Sequence, residues 1–208
     1  MKSSTYASIC AIMSGLGNLL LWTGYDAQVF IVESVLHSIN KREPDRIGAH
    51  DGYYGLAVMN IFFMLANLVV PMMTKYMRCK WILAISAALM SFYFLTFQFL
   101  NRLLYFAACA ILGCGFATFH IGYSGYITEF STRQTLERNQ AFSWSVTTVC
   151  EFGAGVVIMF VTSMNQVDGV ESGYREYADS EIRYFFAAFV LVGLIGLIIY
   201  CFLPNKHV

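Results

Sequence analysis

Charge is scarce in this chain. Only 12% of its 208 residues are Asp, Glu, Lys or Arg, where ordinary soluble domains carry about 25%. That scarcity excludes a soluble domain with a solvated charged surface. The 13 basic residues balance the 13 acidic ones, so neither a nucleic acid nor a strongly anionic surface is indicated as a partner. Cysteine is present but unpatterned. Cys10, Cys109, Cys114, Cys150 and Cys201 lie in apolar stretches and Cys79 in a short link, with no C-x-x-C pair. This gives no disulfide framework and no metal or cofactor motif; the cysteines read as small, polarisable packing residues.

What the chain has instead is apolar length. Hydrophobic residues make up 58% and mean hydropathy is +0.59. Six apolar runs follow one another, over 6–22, 54–73, 81–100, 103–127, 142–164 and 184–203. At about 1.5 Å per helical residue, each spans the roughly 30 Å hydrocarbon core of a bilayer. The connections are short, so the expectation is a single all-α, polytopic membrane domain over 1–208. Its spans are placed at about 6–39, 52–75, 80–100, 102–128, 140–164 and 182–203. The first run has Lys2 before it, as a signal peptide would, but Gly15, Gly17, Trp22 and Tyr25 offer no small-residue cleavage pattern. Val29, Val32, Leu36 and Ile39 recur at three- and four-residue spacing and carry the first helix past Trp22. Lys41 to Asp45 end it with charge and Pro44. The loop 165–183 is acidic, with Asp168, Glu171, Glu176, Asp179 and Glu181. No internal repeat is evident.

Basic residues beside spans set orientation. They divide almost evenly, but Lys75, Arg78 and Lys80 crowd one very short link. This places the N-terminus, that link, the Arg133–Arg138 loop and the C-terminus with Lys206 on the cytoplasmic side. Lys41, Arg42, Arg46, Arg102, Arg175 and Arg183 then lie outside.

Polar residues inside spans are the candidates for function. An ionised side chain facing lipid at a helix centre costs about 2.5–3.5 kcal/mol on insertion scales, so such groups turn to a bundle interior or to water. Asp26 and Glu33, seven residues apart, share a face of the first helix; Asn60 and Asn67 share a face of the second. His120 lies in the fourth span and Glu151 in the fifth. These six residues are the candidates for lining a cavity or ion path. For Asn18, Asn60 and Asn67 the competing reading is interhelical hydrogen bonding, worth about 0.6 kcal/mol per contact. For Asp26 and Glu151 an acid is a costly way to glue helices, which favours function. Spans three and six contain no Asp, Glu, Lys, Arg or His between Trp81 and Leu100 or between Tyr184 and Leu203. They read as lipid-facing walls, with the polar groups on spans one, two, four and five.

Gly113, Gly115, Gly122 and Gly125 in span four, and Gly153 and Gly155 in span five, read as sites of close helix approach. Gly122-Tyr-Ser-Gly125 also matches the G-x-S-G pattern of rhomboid intramembrane serine proteases. A serine nucleophile needs a base in reach. Here the sixth span has no histidine, and His207 lies beyond Pro204. The protease reading fails on that point, and the chain is read as non-enzymatic.

The order of features resembles the N-terminal half of the Unc-ninety-three-like (uncoordinated-type) proteins, a branch of the major facilitator superfamily. The similarity runs from Gly15-Leu-Gly17 and Trp22-Thr23, through Pro71 and Lys80-Trp81, to Gly113-Cys-Gly115-Phe-Ala-Thr-Phe-His120 and Gly125-Tyr-Ile-Thr128. Arg138-Asn139 before Trp144, and Arg183 before a span ending at Pro204, continue it. Two departures stand out: His120 occupies a position usually held by Trp, and Tyr123 one often held by Gln. The resemblance implies a facilitator-type half bundle of six transmembrane helices. It further implies a role as a solute-transporter half or, alternatively, as a non-transporting regulatory or trafficking subunit. Expected partners are the lipid bilayer and a second six-span half, a homodimer partner or another membrane protein.

Overall fold

The computed structural model describes residues 3–164 and 176–205. Lys2, Asp168, Glu171, Arg175, Lys206 and His207, invoked above, lie outside the described residues. Within them the chain is helical, with α1 Ser3–Arg42, α2 Asp51–Met73, α3 Cys79–Thr96, a 3-10 turn at Phe97–Phe99, α4 Arg102–Phe130, α5 Leu136–Thr147, α6 Val149–Met164 and α7 Asp179–Phe202. Among the described residues five stretches are long and apolar enough to cross a membrane: α1, α2, α3 with its 3-10 turn, α4 and α7.

The fifth apolar run is divided between α5 and α6, which meet at Thr148. At the break the hydroxyls of Thr147 and Thr148 donate back to the carbonyls of Ser143 and Trp144, each at 2.9 Å. Single back-bonds of this kind, at Thr23 and Thr118, leave α1 and α4 continuous; here two fall on successive residues, where they compete with the helical ladder. Past the break, the Glu151 amide donates to the Thr148 carbonyl at 3.2 Å, a tightened turn.

The helices pack in a repeating pattern. α2 lies on α4, and α5 with α6 lies on α1. α3 lies on α4, and α7 lies on α1; α3 and α7 pack on each other at the back. Exchanging the first three spans for the last three leaves this scheme unchanged. A sequence repeat underlies it that the linear reading missed. Gly15-x-Gly17-x6-Gly24-Tyr25 in α1 matches Gly113-x-Gly115-x6-Gly122-Tyr123 in α4. The paired glycines do equivalent work. A Cβ on Gly15 would lie 2.8 Å from the Ser143 carbonyl oxygen of α5, and one on Gly113 would collide with the Met59 carbonyl of α2. A Cβ on Gly17 would strike the Tyr200 ring of α7, and one on Gly115 would press on Leu89 and Met90 of α3. Small residues let backbones approach, which drives association where the hydrophobic effect between helices is absent.

The expectation that spans three and six form lipid-facing walls is corrected in part: α7 does present an open apolar face through Leu191, Leu194, Ile195 and Ile198, but α3 is largely covered. In its most apolar stretch α3 is 61% buried, the highest of the five, whereas α2 is only 11% buried. α3 is packed on one side, with Leu83, Ala87, Met90 and Phe94 covered by α4 and α7, and keeps only a narrow open face at Trp81, Phe92 and Leu95. A helix enclosed by other helices and a helix in lipid both need apolar side chains, so lack of charge does not separate them. Nor are buried polar groups confined to the other four spans. Ser86, Ser91 and Thr96 are buried in α3, and buried Tyr200 of α7 donates to Asn18 Oδ1 of α1 at 2.7 Å. The core between α3 and α7 centres on Phe97 stacked on Phe186, with ring centroids 3.7 Å apart; such a pair is worth about 0.5–1.5 kcal/mol beyond its area.

The two ends of the bundle are fastened differently. At one end Lys80, buried at the start of α3, donates to the carbonyls of Cys201 and Leu203, at 3.5 and 3.3 Å. These carbonyls end α7, where a cation also complements the helix dipole. Nearby, buried Asn139 of α5 accepts from Ser8 at 3.3 Å and donates to Ser131 at 3.0 Å. At the other end basic residues of α1 and the following turn hold the start of α7. Lys41 pairs with Glu176, and Arg42 bridges Asp179 and the Tyr177 carbonyl. Arg46 reaches Asp179 at 3.2 Å and the Leu100 carbonyl at 2.6 Å. The hydrogen bond and charge of Lys41 hold the Glu176 carboxyl below the usual carboxylate range.

Candidate functional site

A cavity of about 310 Å³ lies between α1, α2 and α4, near the end fastened by the basic residues of α1. Its position follows from the sequence on each wall. α1 contributes Tyr25, Gln28, Val32 and Glu33 at one-turn and two-turn spacings. α2 contributes Gly52, Gly55 and Met59, also along one face. Gly55 lets Tyr105 of α4 lie against the α2 backbone: an added Cβ would fall 2.6 Å from the Tyr105 hydroxyl oxygen. Gly52 does the same for Glu33, whose carboxylate rests where a Cβ would be. Tyr93 of α3 and Cys109 and Leu112 of α4 close the inner side. Val29, Tyr53 and Leu56 are exposed and form the mouth.

The start of α2 is anchored beside this cavity. Asp51 is 1% exposed, accepts from the Gly48 amide at 2.7 Å and pairs with Arg102 at 3.1 Å. A carboxylate in the first turn of a helix also complements the dipole there.

The six candidate residues do not converge on one site. Glu33 alone lines the cavity. Asp26, on the same side of α1, instead accepts from the Cys150 thiol of α6 at 3.1 Å. Glu151 follows Cys150, is exposed, and lies close enough to Asp26 for their charges to interact. Asn60 is exposed and Asn67 half-buried; each donates to a carbonyl of its own helix, Leu56 and Phe63, at 2.8 Å. Such internal bonding lets an amide face an apolar solvent at reduced cost. His120 is half-buried among rings: its centroid lies 5.3 Å from Phe119, 5.8 Å from Phe63 and 6.4 Å from Trp22. Trp22 and His120 hold equivalent positions in the glycine repeat, so the two repeats meet at these rings. Ser124, one turn along α4, is exposed.

Tyr25, Gln28, Tyr93, Tyr105 and Cys109 were not singled out by sequence. Gln28 had a signal, since it lies between the two acids of α1. The tyrosines had none, because 16% of the chain is aromatic and one-dimensional spacing does not bring three helices together.

The family model for UNC-93, described as ion channel regulatory protein UNC-93, matches residues 43–208. The chain belongs to the UNC-93 family. No curated protein and no solved structure matches it. Membership agrees with a multi-pass integral membrane protein, as its apolar helices require. The matched region holds α2 to α7, so it includes two walls of the cavity and the whole of the glycine-rich α4.

Proposed function

We propose that this UNC-93 family chain is a non-transporting regulatory subunit that docks on a channel protein within the bilayer through α2. The observation that carries this reading is the unequal covering of the spans. α2 touches the bundle mainly through α4, and Leu56, Ile61, Met64, Leu65, Leu68, Val69 and Met72 are all exposed. Its glycine-fitted seat on α4 holds that surface rigidly in place. The family description, an ion channel regulatory protein, supplies the partner class. A regulatory role needs such a surface and no catalytic group.

The repeated packing supports a finer reading of the fold, a facilitator-type half bundle of two three-span units in inverted orientation. In that arrangement spans one, two, four and five form the face that a second half covers. The exposed α2 and exposed Glu151 on α6 fit such a face. The cavity beside Glu33 favours the second reading, a solute-transporter half, because a transporter needs an internal site.

One experiment separates these. Channel currents are recorded in cells that express the chain, after its depletion, and after restoring either wild type or a variant with Leu65, Leu68 and Met72 changed to tryptophan. Bulk on the exposed α2 face blocks close docking and leaves the α4 seat untouched. Regulation through α2 requires that wild type restores the current and that the variant, at equal abundance in the membrane, does not. Full restoration by the variant refutes it. Solute accumulation in proteoliposomes holding the chain alone establishes the transporter reading instead.

A further inference from the structure

The cavity between α1, α2 and α4 has a chemistry that the regulatory reading leaves unused. Its one charged group among the described residues is the Glu33 carboxylate, an acceptor, set beside the Gln28 amide, the hydroxyls of Tyr25, Tyr53, Tyr93 and Tyr105 and the Cys109 thiol, which can donate or accept. Gln28 is 3% exposed and its Oε1 has no hydrogen-bond partner. A buried amide oxygen without a donor loses about 1–3 kcal/mol, so such a group marks a place where a donor is wanted. Five residues further along α1, Glu33 faces the same space, and none of the ion pairs among the described residues includes it. Among the described residues no Lys or Arg lines the cavity.

The remaining walls are aromatic and apolar. Tyr25, Tyr53, Tyr93 and Tyr105 contribute rings, and Val29, Val32, Leu56, Met59 and Leu112 contribute aliphatic surface. Ring faces attract cations, the more so where water is excluded. An anion would meet the Glu33 carboxylate with no cation to offset it. A metal ion is poorly served, since no group of three His, Cys, Asp or Glu is placed to hold one among the described residues. A neutral lipid tail would leave both the Gln28 oxygen and the carboxylate without a donor. The mouth is framed by exposed Val29, Tyr53 and Leu56, which suits entry of a molecule with an apolar portion.

We propose that this cavity binds a small protonated amphiphilic amine, its ammonium donating to the Glu33 carboxylate and to Gln28 Oε1 and its apolar tail held among Tyr25, Tyr93, Tyr105 and Leu112. The volume, about 310 Å³, is at the low end of ligand pockets, which limits the occupant to roughly the size of a phenylalkylamine. Of the exposed α2 residues assigned to docking, the site shares only Leu56, at its mouth, and the docking test alters Leu65, Leu68 and Met72, none of which lines the cavity. Amine binding and channel docking therefore succeed or fail separately.

The test uses the full chain in lipid nanodiscs and tritiated 4-phenylbutylamine, with empty nanodiscs subtracted for partition into lipid. Saturable binding at one site per chain is expected. The matched alcohol, 4-phenylbutan-1-ol, and the matched acid, 4-phenylbutyrate, are expected to compete at least tenfold more weakly than unlabelled amine, because the charge-assisted bond to Glu33 is lost. Glu33→Gln is expected to weaken amine binding by tenfold or more and to narrow the preference for amine over alcohol. Competition by the alcohol as strong as by the amine overturns the proposal on the unaltered protein, whatever the variant does. Absence of saturable binding, or unchanged affinity in a folded E33Q chain, overturns it as well.

Discussion

Replacing Gly113 by alanine places a methyl group against the backbone of a neighbouring helix. The new Cβ would sit inside contact distance of the Met59 carbonyl and 2.8 Å from the Phe63 amide nitrogen. Both obstructing atoms belong to the α2 main chain, so no rotamer change relieves the clash and α2 must move away from α4. Overpacking of this kind costs about 1–3 kcal/mol, with rigid backbone obstruction at the upper end. The better helix propensity of alanine returns about 0.8–1.0 kcal/mol. The net expectation is a loss of about 2 kcal/mol. Because α2 is held mainly by α4, the loss is local before it is global. Gly113→Ala should lower the detergent melting temperature and raise the reactivity of Cys109, which is 3% exposed on the α2 side of α4. Gly155→Ala is the control, since nothing lies within 4 Å of its added Cβ; it should leave stability unchanged or raise it. Thermal denaturation with thiol labelling reads both effects. A G113A chain as stable as wild type, with Cys109 equally protected, would refute the account of how α2 is seated.

Four further outcomes are expected. Lys80→Ala should cost about 1–2 kcal/mol by removing the charged donor from the Cys201 and Leu203 carbonyls, read as a lower melting temperature against a neutral Lys75→Ala control. Asp51→Ala should cost about 2 kcal/mol, because the Gly48 amide loses its acceptor and Arg102 its partner; hydrogen exchange should quicken first in the opening turn of α2. The Glu176 carboxyl is held low by Lys41, so its contribution is present above the ordinary carboxylate pKa and is lost as pH falls through the lower folded value. Protection of the Tyr177 amide, which donates to Ser38 at 3.0 Å, measured against the intrinsic exchange rate at each pH, should accordingly fall on acidification in wild type and be less pH-sensitive in Glu176→Gln. Finally, a single cysteine introduced at Lys75 should react with an impermeant thiol reagent only from the cytoplasmic side, and one at Asp45 only from the other; the reverse pattern rejects the proposed orientation.

Much of this fold was legible because membrane helices announce themselves by length. The apolar runs and the polar links beside Pro44 and Asn101 needed no tertiary information. The break at Thr148 was harder: Thr147 and Thr148 are ordinary residues in an apolar run, and Thr23 and Thr118 make the same hydroxyl bonds in unbroken helices. The placement of α3 was misread for a reason inherent to the solvent. Water separates inside from outside by polarity, but a bilayer and a packed protein interior are both apolar. In such a chain side-chain size carries the information that polarity carries in a soluble protein. Ala84, Ser86, Ala87 and Ser91 on α3 marked a packed helix, and the bulky run Ile61 to Leu65 on α2 marked an open one. The same logic explains the hidden repeat. Gly15, Gly17, Gly24 and Tyr25 match Gly113, Gly115, Gly122 and Tyr123, while the residues between them differ, as expected where close backbone approach is what the two segments share. The departures between the copies are then where the chain is free to be specific. Trp22 faces His120 at the meeting of the repeats, and Gln28 and Glu33 furnish acceptors beside α2 whose counterparts in the repeat, Tyr126 and Ser131, carry no acid. That asymmetry, laid over a symmetric scaffold, puts the cavity's acidic chemistry at one end of the bundle alone.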